Sequence, residues 1–233
     1  MRGLWHELTD LVLPAECAGC GLARAPGRLC PGCRVALAAG EPRRARPAAA
    51  PDGLPAVWAA AGYRDEVRAM LLAHKERGAL PLAGPLGDAL ARAVHAGLHT
   101  LCTASGARPV VLLPVPSARS AVARRGHDPV RRLARAAAAA LRAEGVPARV
   151  LPALRQCRPV ADQAGLTAGE RAANLDGALE MPPAAAGAAA GAAAVLVDDV
   201  MTTGASLREA ARASRSCGVQ PVAAAVVACR THR

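Results

Sequence analysis

The chain has 233 residues, 52% of them hydrophobic, enough for one full domain and a small added module. With no Phe, two Trp and one Tyr, its core must come from Leu, Val and Ala, and binding of single strands by aromatic stacking is disfavoured. A formal charge of +11 fits an acidic partner (nucleic acid, anionic lipid or a polyphosphate metabolite) and equally a solvated basic surface.

No run approaches the ~18 uninterrupted apolar residues of a membrane span. The opening "MRGLWHELTDLVLPAEC" lacks the long apolar stretch of a signal peptide. A cytoplasmic protein with reduced cysteines is therefore expected, so paired cysteines point to metal.

Cys17, Cys20, Cys30 and Cys33 form two C-x-x-C pairs separated by nine residues. Four thiolates at such spacing suit tetrahedral zinc, and four cysteines leave no open position for a substrate, so the ion would be structural. A redox C-x-x-C is the alternative. Cys102, Cys157, Cys217 and Cys229 are scattered singly and are expected to be buried apolar thiols. Residues 38–55, rich in Pro, Ala and Arg, read as a linker. The expected division is a zinc module with its linker over 1–53 and a main domain over 54–233.

From residue 56 strands and helices alternate. "AVWAAAGY" suits a strand, and "DEVRAMLLAHKERG" a helix with Val67, Met70 and Leu71 on one face. A second helix runs through "LGDALARAVHAGL", where His95 and His99 lack the Glu of H-E-x-x-H and read as helix-surface residues. "RPVVLLPVP" has the unbroken apolar character of a fully buried parallel strand.

The next helix is punctuated by Asp128 as N-cap, Pro129 at its first position and Gly145 at its exit. Val130, Leu133, Ala134, Ala137 and Leu141 form its apolar stripe. "ARVLPALR" predicts another strand, residues 156–178 a polar segment with a short helix near "AGERAANL", and "PPAAAGAAAGAAA" a loose surface turn. The strand "AVLVDD", a helix from Ser206 to Cys217, a stop at Gly218 and the strand "PVAAAVVA" complete the pattern. Such alternation predicts an α/β fold, a parallel sheet with helices on both faces, whose ligands bind beyond the carboxyl ends of the strands.

Asp198 and Asp199 fall at such an end, and Thr202, Thr203, Gly204, Ala205 and Ser206 lead from them into a helix. A helix amino end attracts phosphate, and Thr and Ser hydroxyls add donors. Neighbouring carboxylates suit a vicinal diol and a divalent cation. Phosphate and diol together describe a ribose 5-phosphate. Other nucleotide motifs are excluded. The single lysine, Lys75, is followed by Glu76, which rules out a Walker A loop, and "GCGLAR" lacks the third glycine of a dinucleotide fingerprint.

"VLVDDVMTTGAS" resembles the phosphoribosyl pyrophosphate (PRPP) signature of type I phosphoribosyltransferases. The cysteine module, "AHKERG", "LLPVPS", "ARRGHDP" and "DQAGLTAGERAANLDGAL" extend the resemblance to ComF/GntX-like competence-associated proteins. It implies a type I phosphoribosyltransferase-like (Rossmann-like) sheet preceded by a small four-cysteine zinc module. Asp198 and Asp199 would hold the ribose hydroxyls, and Met201 through Ser206 would wrap the 5-phosphate. Pro114, Val115, Pro116 and Ser117 would form the pyrophosphate loop. Arg125 and His127 match an "RGxN" region in which this chain has Asp128. Gln163, Arg171 and Asn174 match a stretch that would cover the site, and Lys75 matches a family lysine. Lys75, Arg125 and Arg158 are the candidates for neutralising the leaving pyrophosphate alongside Mg²⁺. The acceptor and its general base are not legible. The competing expectation is a DNA-associated protein that uses the zinc module and basic surface.

Overall fold

The structure is a computed structural model that describes residues 16–48, 50–99, 108–160 and 167–230. Gln163 and Cys102 lie outside the described residues. A six-stranded sheet forms the centre: β1 (Arg43–Ala45), β2 (Val57–Gly62), β8 (Ala223–Cys229), β7 (Ala193–Met201), β3 (Val110–Pro114) and β4 (Ala148–Val150), in that spatial order. All neighbours are parallel except the β1–β2 pair. A short antiparallel ribbon, β5 (Arg155–Gln156) with β6 (Leu179–Glu180), stands apart. Every residue of β3 and β8 is buried, which explains their unbroken apolar sequence: both faces of a parallel sheet are covered.

One face carries α2 (Asp65–Glu76), α3 (Ala83–His99) and α5 (Pro129–Ala143), together with α1 (Pro31–Ala38) of the cysteine module. The other carries α8 (Ala205–Arg215) and the short α7 (Pro183–Ala189). Two further helices are α4 (Arg119–Arg125) and α6 (Ala168–Leu175). The predicted stripe of α5 is buried residue for residue, and the Asp128 carboxylate accepts the Arg131 N–H at 3.0 Å. No helix among the described residues is long and apolar enough to cross a membrane.

Four expectations need correction. Inside the stretch read as a linker, Arg43–Ala45 adds an antiparallel edge strand to the sheet. "ARVLPALR" does not make one strand: it breaks after Val150, and Pro152 has no N–H to continue the ladder. Part of the alanine-rich tract is helical, α7, with Pro183 at its first turn and alanine's high helix propensity behind it. Among the single cysteines described, only Cys229 is buried; Cys157 is exposed and Cys217 half-buried, with their thiols donating to the Gly177 and Met181 carbonyls at 3.2 and 2.7 Å.

The cysteine module is packed onto the main core. Cys17, Cys30, Cys33 and Leu37 share one buried cluster with Met70, Leu71 and Leu90. Arg92 of α3 fastens the module from outside, donating to the carbonyls of Leu37, Ala38 and Gly40 at 2.7, 3.0 and 2.8 Å. Leu37 and Ala38 carry orphan carbonyls at the end of α1 and Gly40 follows its C-cap, so one guanidinium both caps a helix and docks it.

Candidate functional site

The chain leaves β3 toward β4 on one side and leaves β7 toward β8 on the other. The crevice outside the carboxyl ends of β3 and β7 is therefore the switch point of this sheet, the place where an open α/β fold binds its ligand. Pro114 pairs with Val197, and the Val115 N–H continues the ladder to the Val197 carbonyl at 2.9 Å. This register brings the Pro114–Ser117 loop alongside Asp198 and Asp199.

Side chains alternate along a strand, so the two acids point to opposite faces. Asp199 follows Val195 and Val197 on the α2–α3–α5 face, and Asp198 follows Leu196 on the α8 face. Asp199 is 5% exposed, and its Oδ2 lies 2.6 Å from Lys75 Nζ. Burial opposes charge on Lys75, yet the Asp199 and Asp198 carboxylates outweigh it and hold the ammonium above the ordinary lysine range. The Asp198 carboxyl is pushed well above the usual carboxylate range, by burial first and by the Asp199 charge second. Asp198 lines a shallow, solvent-open pocket of about 20 Å³ walled by residues Met201 to Leu207. The expected pair of equivalent acids is thus one paired carboxylate and one facing a pocket.

The pocket's loop turns sharply into α8, one residue earlier than the expected start at Ser206. Gly204 sits at φ 79° as the N-cap of α8, a conformation that favours glycine. A Cβ there would also meet Leu54 Cδ2 at 2.9 Å. Thr202, Thr203 and Ser206 are half-buried on the pocket wall, whereas the Met201 side chain is buried in the core, leaving its backbone to the pocket.

Lys75 and Arg125 are brought together at the end of α2. Arg125 grips Glu76 with two bonds, at 2.8 and 2.6 Å, and that charge holds the Glu76 carboxyl below its ordinary range. His127 completes the junction, with Nδ1 and Nε2 each 3.1 Å from a carbonyl, those of Arg125 and His74. His74 is 1% exposed and its imidazolium is disfavoured chiefly by burial. Arg158 lies elsewhere: it donates to the carbonyls of Pro159, Asn174 and Asp176 and closes the turn after α6.

Two groups escaped the sequence reading. Glu76, next to Lys75, anchors Arg125; its one sequence signal was a place beside the chain's single lysine. Glu209 is fully buried in α8, accepting from the Leu179 N–H at 2.9 Å and from Arg212 at 2.7 and 2.8 Å. It pins the β5–β6 ribbon to the helix behind the pocket. An E-x-x-R on a helix ordinarily reads as a solvated pair, so nothing local gave this away.

The four cysteine sulfurs lie within 4.8 Å of one another. Cys20 and Cys30 Sγ are 3.7 Å apart, which matches the ~3.8 Å edge of a tetrahedron with 2.3 Å metal–sulfur bonds. Backbone N–H groups of Cys30 and Cys33 point at the sulfurs of Cys17 and Cys30, at 3.3 and 3.4 Å. Burial raises the Cys17 thiol, but N–H groups of Cys30, Cys20 and Gly19 prevail and lower it to about 6. The cluster is compatible with a closed zinc site.

The phosphoribosyl transferase domain family matches residues 130–233, from α5 through β7, the Asp198–Ser206 segment and β8 to the end of the chain. The match supports a type I phosphoribosyltransferase-like reading of that part. No curated protein sequence matches the chain.

Proposed function

We propose that this protein binds PRPP, or ribose 5-phosphate, in the Asp198–Ser206 pocket and transfers the phosphoribosyl group to an acceptor. The observation that carries this reading is the Gly204-capped amino end of α8 placed directly after an acid at the sheet's switch point. N–H groups at the start of α8 and the loop hydroxyls suit the 5-phosphate, and Asp198 suits the ribose hydroxyls.

Transfer requires pyrophosphate to leave the anomeric carbon as positive charge develops there. Lys75 and Arg125 supply cationic charge at the α2 end of the crevice, positioned by Asp199 and Glu76. Asp198, facing an open pocket, fits a Mg²⁺ ion that keeps waters and substrate phosphate oxygens as its other ligands. When bound, that ion would neutralise pyrophosphate charge. Arg158 would take part only by releasing its three carbonyls.

The four-cysteine module ahead of the domain supports the finer placement among ComF/GntX-like proteins and, with thiols kept reduced, a cytoplasmic setting. The test is pyrophosphate release from PRPP and Mg²⁺ across a panel of nucleobases and amines. Release that depends on both an acceptor and Lys75 supports transfer. An inert panel would reduce the proposal to binding alone.

A further inference from the structure

α3 ends in two histidines one turn apart, His95 and His99, which the proposed pocket does not use. An i, i+4 spacing puts both rings on one helix face. They stack with centroids 4.4 Å apart and planes 18° from parallel, and their Nε2 atoms are 2.7 Å from each other. Two nitrogen lone pairs do not face each other at that separation with nothing between them: a proton or a cation must lie there.

Glu144, the C-cap of α5, sets which ring carries that proton. Its Oε2 is 3.5 Å from His95 Nδ1. A carboxylate on that side favours the Nδ1–H tautomer and leaves the His95 Nε2 lone pair free, so His99 donates the shared proton. The other described histidines turn three of their four nitrogens to backbone carbonyls, and the fourth, His74 Nε2, is buried without a partner among the described residues. His74 Nδ1 meets the Ala79 carbonyl, and both nitrogens of His127 meet carbonyls.

We infer that His95 and His99 form a two-nitrogen site for a borderline divalent transition metal of the nickel, copper or zinc class. The ion replaces the shared proton, and Glu144 orients His95 from behind. Imidazole nitrogens bind such ions at ~2.0–2.1 Å, which places two of them about 3.3 Å apart on a tetrahedral centre. His99 is exposed and the His95 side chain 40% exposed, so a small ring rotation supplies that spread. Two nitrogens leave the remaining positions to water, which makes the site exchangeable, in contrast to four closed thiolates.

Position separates it from the chemistry described above. Gly97 lies against Trp58 and Ala223, near the starts of β2 and β8, so this end of α3 is at the amino edge of the sheet. The Asp198 pocket is at the carboxyl edge. The exchange is balanced: the ion takes the two Nε2 lone pairs, and the proton on His99 Nε2 moves to its Nδ1, so both rings stay neutral and no proton is released.

The experiment uses full-length protein with its cysteine cluster saturated with zinc and excess metal removed. Ni²⁺ is titrated by calorimetry in two buffers of different ionisation enthalpy. The expected result is one further equivalent per chain, with the same heat in both buffers because the His99 proton moves from Nε2 to Nδ1 and is not released. His95→Ala/His99→Ala should abolish that equivalent while zinc content and circular dichroism stay at wild-type values. Glu144→Gln should weaken it on the order of tenfold, as loss of a carboxylate behind a metal-bound histidine does. No uptake by the wild type, or uptake undiminished in the double variant, would overturn the site and leave a shared proton between two surface rings.

Discussion

The four-cysteine cluster and the carboxyl end of β7 are both built from one short segment of chain, yet one is closed and the other half open. In the cluster each sulfur faces its three partners, backbone N–H groups point at two of the sulfurs, and Cys17, Cys30 and Cys33 are buried in the core shared with α2 and α3 while Cys20 stays exposed. At β7 one acid is neutralised by Lys75 and the next faces a solvent-open pocket. The difference teaches where stability and binding are kept. Saturated groups hold the fold, and groups left short of partners await a ligand.

Breaking the closed side should have the largest effect. Cys33→Ser removes one of four converging sulfurs and loosens a core shared with α2. We expect a loss of about 4 kcal/mol, which at ~2–4 °C per kcal/mol lowers the melting temperature by about 10 °C or more. An unchanged melt would separate the cluster from the core it packs against. Lys75→Met strips the partner from a buried carboxylate. Because Lys75 is itself one-third exposed, the cost in urea unfolding should be nearer ~2 kcal/mol than that of a fully buried pair. PRPP affinity should fall with it.

Gly204→Ala is smaller: a left-handed φ of 79° and a contact at 2.9 Å to the flexible end of Leu54 together cost about 1 kcal/mol. Asp198→Asn should change stability least, and with an informative sign. A carboxyl whose native pKa is raised above its unfolded value of 3.8 contributes stability below that value. The contribution is lost as pH rises through the raised native pKa. Wild type should therefore weaken with rising pH across that window, and the variant should not, in paired urea titrations. Lys75, also raised, keeps its contribution below its ordinary 10.5 and loses it as pH climbs through the native value.

Local signals carried far in this chain. Residue type and spacing located β7, the loop that leads from it into α8, the α5 stripe and the converging cysteines, because each depends on neighbours a few residues away. What escaped depends on distance along the chain. The Arg43–Ala45 strand exists because Val57–Ala59 presents an edge to it. The separation of Asp198 from Asp199 follows from the pleat, which sends adjacent acids to different partners. Glu76 and Arg125 are 49 residues apart, and nothing in either segment announces the other. Arg158 read as a site cation because sequence cannot show that three carbonyls already occupy it.

The central claim is that the Asp198–Ser206 pocket is a phosphoribosyl site. Calorimetry of PRPP with Mg²⁺, on wild type and on Asp198→Asn/Asp199→Asn, tests it most directly. The account predicts saturable binding near one equivalent in the wild type, abolished in the double variant, with circular dichroism unchanged. Absence of heat in both proteins, or equal binding in both, would contradict it.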